Sequence, residues 1–153
     1  MKTAVKTRYL TFILTACVVL ACPALVSAFS TEDLNTLRQT NACSRCNLSE
    51  ANLSWSDFSG ANLSRTNLSG ANLHRTNLQG ANLSRTGLSS ADLSVADLSG
   101  ANLTRANLRN ANLNRADLRG ANLSDASLDG ADLTWATWTN GRTCRQNSIG
   151  ECK

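Results

Sequence analysis

The 153-residue chain is 42% apolar but only 5% aromatic, so leucine and alanine must supply any core it builds, and one domain is the expected organisation. Setting aside Lys2, Lys6 and Arg8 of the N-terminal stretch reduces the formal charge of +4 to +1, with 12 basic and 11 acidic side chains left in residues 29–153. Near-neutrality of this kind excludes a strongly basic nucleic-acid binder and a strongly acidic nucleic-acid mimic.

Residues 1–28 read as an export signal peptide. Three positive charges in residues 1–8 precede a mostly apolar run from Tyr9 to Leu20, and Val26-Ser27-Ala28 offers small residues for cleavage after Ala28. Thr11, Thr15 and Pro23 interrupt the run, which barely reaches the roughly 20 residues a spanning helix needs. Leu14-Thr15-Ala16-Cys17 and Val19-Leu20-Ala21-Cys22 look like lipoboxes, so the alternative to a periplasmic or secreted protein is a membrane-anchored lipoprotein. Export places the later cysteines where disulfides persist.

Residues 29–45 form an N-terminal cap. Ser30-Thr31-Glu32-Asp33 predicts a helix N-cap with an acidic first turn, and Phe29 and Leu34 have the spacing of a hydrophobic staple. A short helix over residues 31–39 would lay Leu34 and Leu37 on the first turn of the repeat array beyond it.

That array, residues 46–138, is uninterrupted and has a period of five. From Leu48 to Trp138 there are 19 units, and leucine occupies the centre of 17 of them. Two residues before the centre stands alanine in 14 units, the exceptions being Cys46, Ser56, Thr66, Thr76 and Thr86. A period of five would smear the leucines around the whole circumference of a helix and is not the alternation of a strand. A chain that turns every five residues can instead point each leucine and its alanine-type partner inward and leave the Asn or Asp between them outside. Two residues after the centre, glycine at 60, 70, 80, 100, 120 and 130 alternates with arginine at 65, 75, 85, 105 and 115, so the outer surface repeats about every ten residues.

The units Ala61-Asn62-Leu63-Ser64-Arg65, Ala101-Asn102-Leu103-Thr104-Arg105 and Ala131-Asp132-Leu133 resemble the A-(D/N)-L-x-x unit of pentapeptide-repeat proteins. The resemblance implies an all-β fold, a right-handed quadrilateral β-helix with four units per coil. Coils stacked at about 4.8 Å would make a rod roughly 20–25 Å long. Each unit alone is unstable, because burying one leucine contributes about 1.5–3 kcal/mol whereas ordering five backbones costs roughly 5–10 kcal/mol. Stability must therefore come from stacking between coils.

Residues 139–153 form a C-terminal cap, opened by the turn signal Asn140-Gly141. Four cysteines outside the signal allow three pairings. On the rod that the resemblance implies, the ends are too far apart for disulfide Cα atoms to come within about 7 Å, which leaves Cys43 with Cys46 and Cys144 with Cys152. Both close short loops, so each would lock one cap.

No enzyme signature, cofactor motif or metal site emerges. Cys43-Ser44-Arg45-Cys46 has the spacing of a redox motif, but it runs straight into the first repeat rather than a βαβ unit, and no second pair or nearby histidine completes four zinc ligands. His74, the only histidine, follows a core leucine and is expected to face solvent. The arginines are the candidate binding surface. At 20 residues per coil, Arg65, Arg85 and Arg105 fall in one column ending at Asp125, and Arg75 and Arg115 lie opposite, interrupted by Val95 and flanked by Trp55 and Trp135. Regularly spaced guanidinium groups suit an unknown protein or an anionic envelope polymer bearing phosphate or carboxylate. The expectation is an exported, non-enzymatic scaffold without a transmembrane span after cleavage. Two rivals stand beside it. Some pentapeptide-repeat proteins resemble DNA and protect gyrase, a role that the export signal and the charge of +1 oppose, as they do nucleic-acid binding. A thiol-redox protein would use Cys43 and Cys46. Trp55, Trp135 and Trp138, taken as a cluster near the ends, suggest an end-to-end homodimer.

Overall fold

The structure is a computed structural model that describes residues 29–153; the export signal expected over residues 1–28, with Cys17 and Cys22, lies outside them. The five backbone N–H groups of a unit explain the fold, as residues 81–85 illustrate. Ala81 donates to Leu78 O at 3.0 Å and closes a turn, Asn82 donates to Ala61 O at 2.8 Å, Leu83 to Asn102 O at 2.8 Å and Arg85 to Thr104 O at 2.9 Å. The fifth, Ser84 N–H, donates to the side-chain oxygen of Asn82 at 3.1 Å. One turn, three bonds to neighbouring coils and one side-chain acceptor thus satisfy every donor, which burial of the chain requires.

This accounting gives each position its residue type. Asn or Asp precedes the leucine because its carboxamide or carboxylate must accept from the N–H two residues on, as Asp97 does for Ser99 at 2.9 Å and Asp132 for Thr134 at 2.9 Å. The residue two after the centre has positive φ at every turn from Arg45 to Trp135, whether it is Gly60 at 64° or Arg65 at 60°. Glycine takes that conformation without penalty; other residues are held there at about 1–2 kcal/mol each.

Parallel bridges join residues 20 apart in four columns, beginning at Ala42–Asn62, Asn47–Asn67, Asn52–Asn72 and Asp57–Asn77. The chain is therefore a β-helix with 20 residues per coil, built from single bridges rather than long strands. Its interior is a ladder of leucines from Leu48 to Leu118 interleaved with alanines, fully enclosed by the coils. Thr66, Thr76 and Thr86 stand in alanine places and are buried too, and each hydroxyl donates to a backbone carbonyl 23 residues earlier, Leu53 O at 2.9 Å for Thr76 and Leu63 O at 2.8 Å for Thr86.

Both ends are covered. At the N-terminal end α1, Thr31–Thr40, is capped by Ser30, whose hydroxyl accepts from Asp33 N–H at 3.1 Å, and it stops at Asn41 with φ 52°. Leu37 of α1 is fully buried, and Phe29 and Leu34 pack on the same core. Asp33 also accepts from Asn47 N–H at 2.8 Å, which ties the helix to the coil beneath it. The ladder reaches back to Ala42, so Cys43 takes a leucine place in the first coil. At the other end the chain reverses, and Ile149 and Thr143 pair antiparallel with Asp132 and Thr137. Among the described residues no helix is long and apolar enough to cross a membrane.

Candidate functional site

The position two residues after the centre recurs every 20 residues on the same side of the rod, so its side chains stack in columns. One column reads Arg45, Arg65, Arg85, Arg105 and then Asp125. The four arginines, with Ser44, Ser64, Ser84, Thr104, Asn82 and Asn102, line a groove of about 780 Å³. Arg65, Arg85 and Arg105 thus share one site. Arg45 joins them, a member that its place inside the Cys43 to Cys46 loop conceals in the sequence although it precedes Arg65 by the coil period. Arg75 and Arg115 are not in the groove; they belong to the column that holds Trp55, Val95 and Trp135.

Electrostatics set the groove apart. The bridge columns on either side of it, residues 62, 82, 102 and 122 and residues 47, 67, 87, 107 and 127, contain no carboxylate. The other two bridge columns hold Asp92 and Asp132, and Asp57, Asp97 and Asp117. Arg105 pairs with Asp125 at 3.3 Å, both exposed, and among the described residues no carboxylate lies within ion-pair distance of Arg45, Arg65 or Arg85. Unit charges about 5 Å apart repel by roughly 1 kcal/mol in water. The column therefore opposes stability twice, through positive φ and through repulsion, at turns where glycine would avoid both. The column of Gly60, Gly80, Gly100 and Gly120 shows that the fold accepts glycine there. On the acidic side the carboxylates are already engaged. A hydrogen bond from Ser59 N–H holds Asp57 below the usual carboxylate range, and one from the Arg119 guanidinium does the same for Asp117.

The family model described as Pentapeptide repeats (8 copies) matches residues 46–85, 88–125 and 101–140, more than half of the chain. The chain belongs to the pentapeptide-repeat family. Among solved structures it is similar to HetL, a pentapeptide-repeat protein involved in heterocyst differentiation regulation from Nostoc sp. strain PCC 7120, at 38% identity and a TM-score of 0.59, over 67% of this chain and 51% of that one. It spans about half the length of HetL. A trypsin-treated form of QnrB1, a plasmid-mediated fluoroquinolone resistance protein, shares the fold at 23% identity and a TM-score of 0.50, over 66% of this chain and 62% of that one. No curated protein gives a significant match.

In this pentapeptide-repeat protein Cys43 is joined to Cys46 and Cys144 to Cys152, with Cα separations of 5.5 and 4.9 Å. Cys43 is 2% exposed and Cys46 is half-buried against the core. Asp33 stands beside this pair, but both sulfurs are bonded to each other and offer no thiolate to a metal ion.

Two expectations need correction. His74 faces solvent only in part: it is half-buried, its Nδ1 lies 2.7 Å from the hydroxyl of Ser94, and Trp55 packs edge-on at 6.1 Å because the turn columns bring successive coils together. Trp55 lies in the first coil and Trp135 and Trp138 in the last, so they stand near opposite ends rather than in one cluster. Trp55 and Trp135 stand four coils apart in one lateral column, the guanidinium of Arg75 lies 4.5 Å from the Trp55 ring centre, and Trp138 packs against the core.

Val95 makes the backbone argument testable. It is 40% exposed with φ 60°, a conformation that branching at Cβ makes especially costly. Replacing Val95 with glycine should stabilise the protein by about 0.5–1 kcal/mol, the relief of strain less the added freedom of the unfolded chain. A urea midpoint that falls instead would show that φ at these turns carries no strain.

Proposed function

We propose that this protein is an exported, non-enzymatic scaffold, a four-sided β-solenoid whose arginine groove holds an anionic partner of the cell envelope. The arginine column, paired with a carboxylate only at Arg105, carries this reading. Four guanidinium groups stand in a row between bridge columns without carboxylates, at turns where folding alone favours glycine, while the aspartates of the bridge columns lie in the other two. Such a row gains its stabilisation from outside the molecule, through charge-assisted hydrogen bonds to carboxylate or phosphate. A DNA mimic directed at gyrase would need the opposite sign along its surface.

The test changes Arg65, Arg85 and Arg105 together to serine and measures retention on envelope fractions at two salt concentrations. Each lost charge-assisted bond is worth about 1.5–3 kcal/mol, so the variant should bind at least about 100-fold more weakly at low salt, and the native protein should lose most of its retention at high salt. Retention that the substitutions leave unchanged would dismiss the groove as the binding site. Intact mass of the exported protein should correspond to a chain beginning at Phe29 with two disulfides.

A further inference from the structure

The C-terminal cap covers two sides of the last coil and leaves the other two open. We infer that this open half, residues 121–129, is a docking edge for an extended segment of a partner protein, one that carries two basic side chains and adds itself as a further half-coil. The edge is independent of the arginine groove and of what that groove binds.

The backbone defines the edge. Two of the four bridge columns, those reaching Asp132 and Thr137, are continued by Ile149 and Thr143 of the reversed segment, whereas the columns reaching Asn122 and Ser127 go no further. The N–H groups of Leu123, Asp125 and Leu128 and the carbonyls of Ala121 and Ala126 accordingly have no hydrogen-bond partner among the described residues. One coil earlier the same groups are all bonded: Leu103, Arg105 and Leu108 donate to Asn122, Ser124 and Ser127, while Ala101 and Ala106 accept from Asn122 and Ser127. The core is open at the same place. Leu123, Ala126 and Leu128 are partly exposed, where Leu103, Ala106 and Leu108 are buried. Unpaired donors and acceptors beside apolar side chains are what an extended chain pairs with in strand addition.

Charge selects the occupant. The coil beneath shows what stacks on this one: Arg105 pairs with Asp125 at 3.3 Å and Arg109 with Asp129 at 3.3 Å, while Leu103 and Leu108 lie under Leu123 and Leu128. Asp125 and Asp129 remain exposed, and a segment laid on the open edge meets them from the other side. Its matching pattern is apolar, any, basic, small, any, apolar, basic, which residues 103–109 of this chain spell as Leu-Thr-Arg-Ala-Asn-Leu-Arg. A second copy meeting this edge with its own would set the two aspartates against the same two aspartates, so self-pairing is opposed where a basic partner is favoured.

The probe is a labelled peptide copying residues 101–110, with fluorescence anisotropy at low salt and site-resolved amide exchange of the intact protein as the measurements. In the free protein the Leu123 and Leu128 amides should exchange at least about 100-fold faster than those of Leu103 and Leu108, and saturating peptide should slow them at least about tenfold. A peptide with glutamate in place of both arginines should bind at least about tenfold more weakly. Protein carrying Asp125→Lys and Asp129→Lys should reverse the preference and bind the glutamate peptide better than the arginine one, with its Leu103 amide reporting that the coils remain folded. Edge amides as slow as Leu103 without peptide, failure of saturating peptide to slow them, or equal binding of the arginine and glutamate peptides would overturn the inference. Dimers in sedimentation velocity whose formation protects the same amides would also overturn it, by making the occupant a second copy.

Discussion

An aspartate in place of Leu103 should leave the protein without a cooperative unfolding transition, whereas serine in place of Arg105, two residues on, should change stability by less than about 1 kcal/mol. Leu103 has no solvent exposure and stands inside its ladder between Leu83 and Leu123. Deleting a buried leucine side chain costs about 2–5 kcal/mol, and an unpaired carboxylate in its place adds several more. The sum is comparable to the 5–15 kcal/mol by which a whole domain is stable. Stacking makes the damage worse, because a fourth coil that cannot close leaves about three coils before it and fewer than two after it, the latter below the three-repeat minimum for a stable stack. Arg105 touches only solvent and Asp125, a pair worth about 0.2–1 kcal/mol. Far-UV circular dichroism with urea denaturation reads the contrast. A cooperative transition for the aspartate variant within 1 kcal/mol of the native protein would mean that the leucine ladder does not hold the coils together.

The leucine ladder was legible in the sequence because a period of five admits few other foldings, and the coil period of 20 then placed Arg65, Arg85 and Arg105 in one line. The Asn and Asp positions were legible as outward-facing but not as hydrogen-bond acceptors. Nothing in Ala81-Asn82-Leu83 announces that Ser84 N–H lacks a backbone partner; that emerges only when all five donors are followed to their acceptors. The alternation of glycine with arginine suggested two kinds of side. Its common cause, positive φ at every turn, was hidden because arginine and valine rarely adopt that conformation. Arg45 escaped notice through a competing motif, and His74 because burial in a groove between coils depends on Trp55 and Ser94, 19 residues before it and 20 after it.

Removing residues 141–153 should convert the protein from a closed rod into one that associates through its last coil. In the intact chain Leu133 N–H donates to Ser148 O at 2.8 Å, Trp135 N–H to Cys144 O at 3.2 Å and Trp138 N–H to Arg142 O at 2.7 Å, and Gly150 N–H returns a bond to Ala131 O at 2.8 Å. Cys144, fully buried, closes the core beneath them. Without the segment those groups form an unpaired edge around exposed leucine and tryptophan, the arrangement that templates edge-to-edge pairing. Sedimentation velocity should show dimers or larger species growing with concentration for the truncated chain and none for the native one. Cys152→Ser is the graded version. Breaking the Cys144 to Cys152 link removes about 2.5 kcal/mol of loop-closure stabilisation, so the cap should fray while its backbone bonds remain, and association should begin only at higher concentration or temperature. A truncated chain that stays monomeric, with its coils intact, would assign the reversed C-terminal segment some task other than sealing the edge.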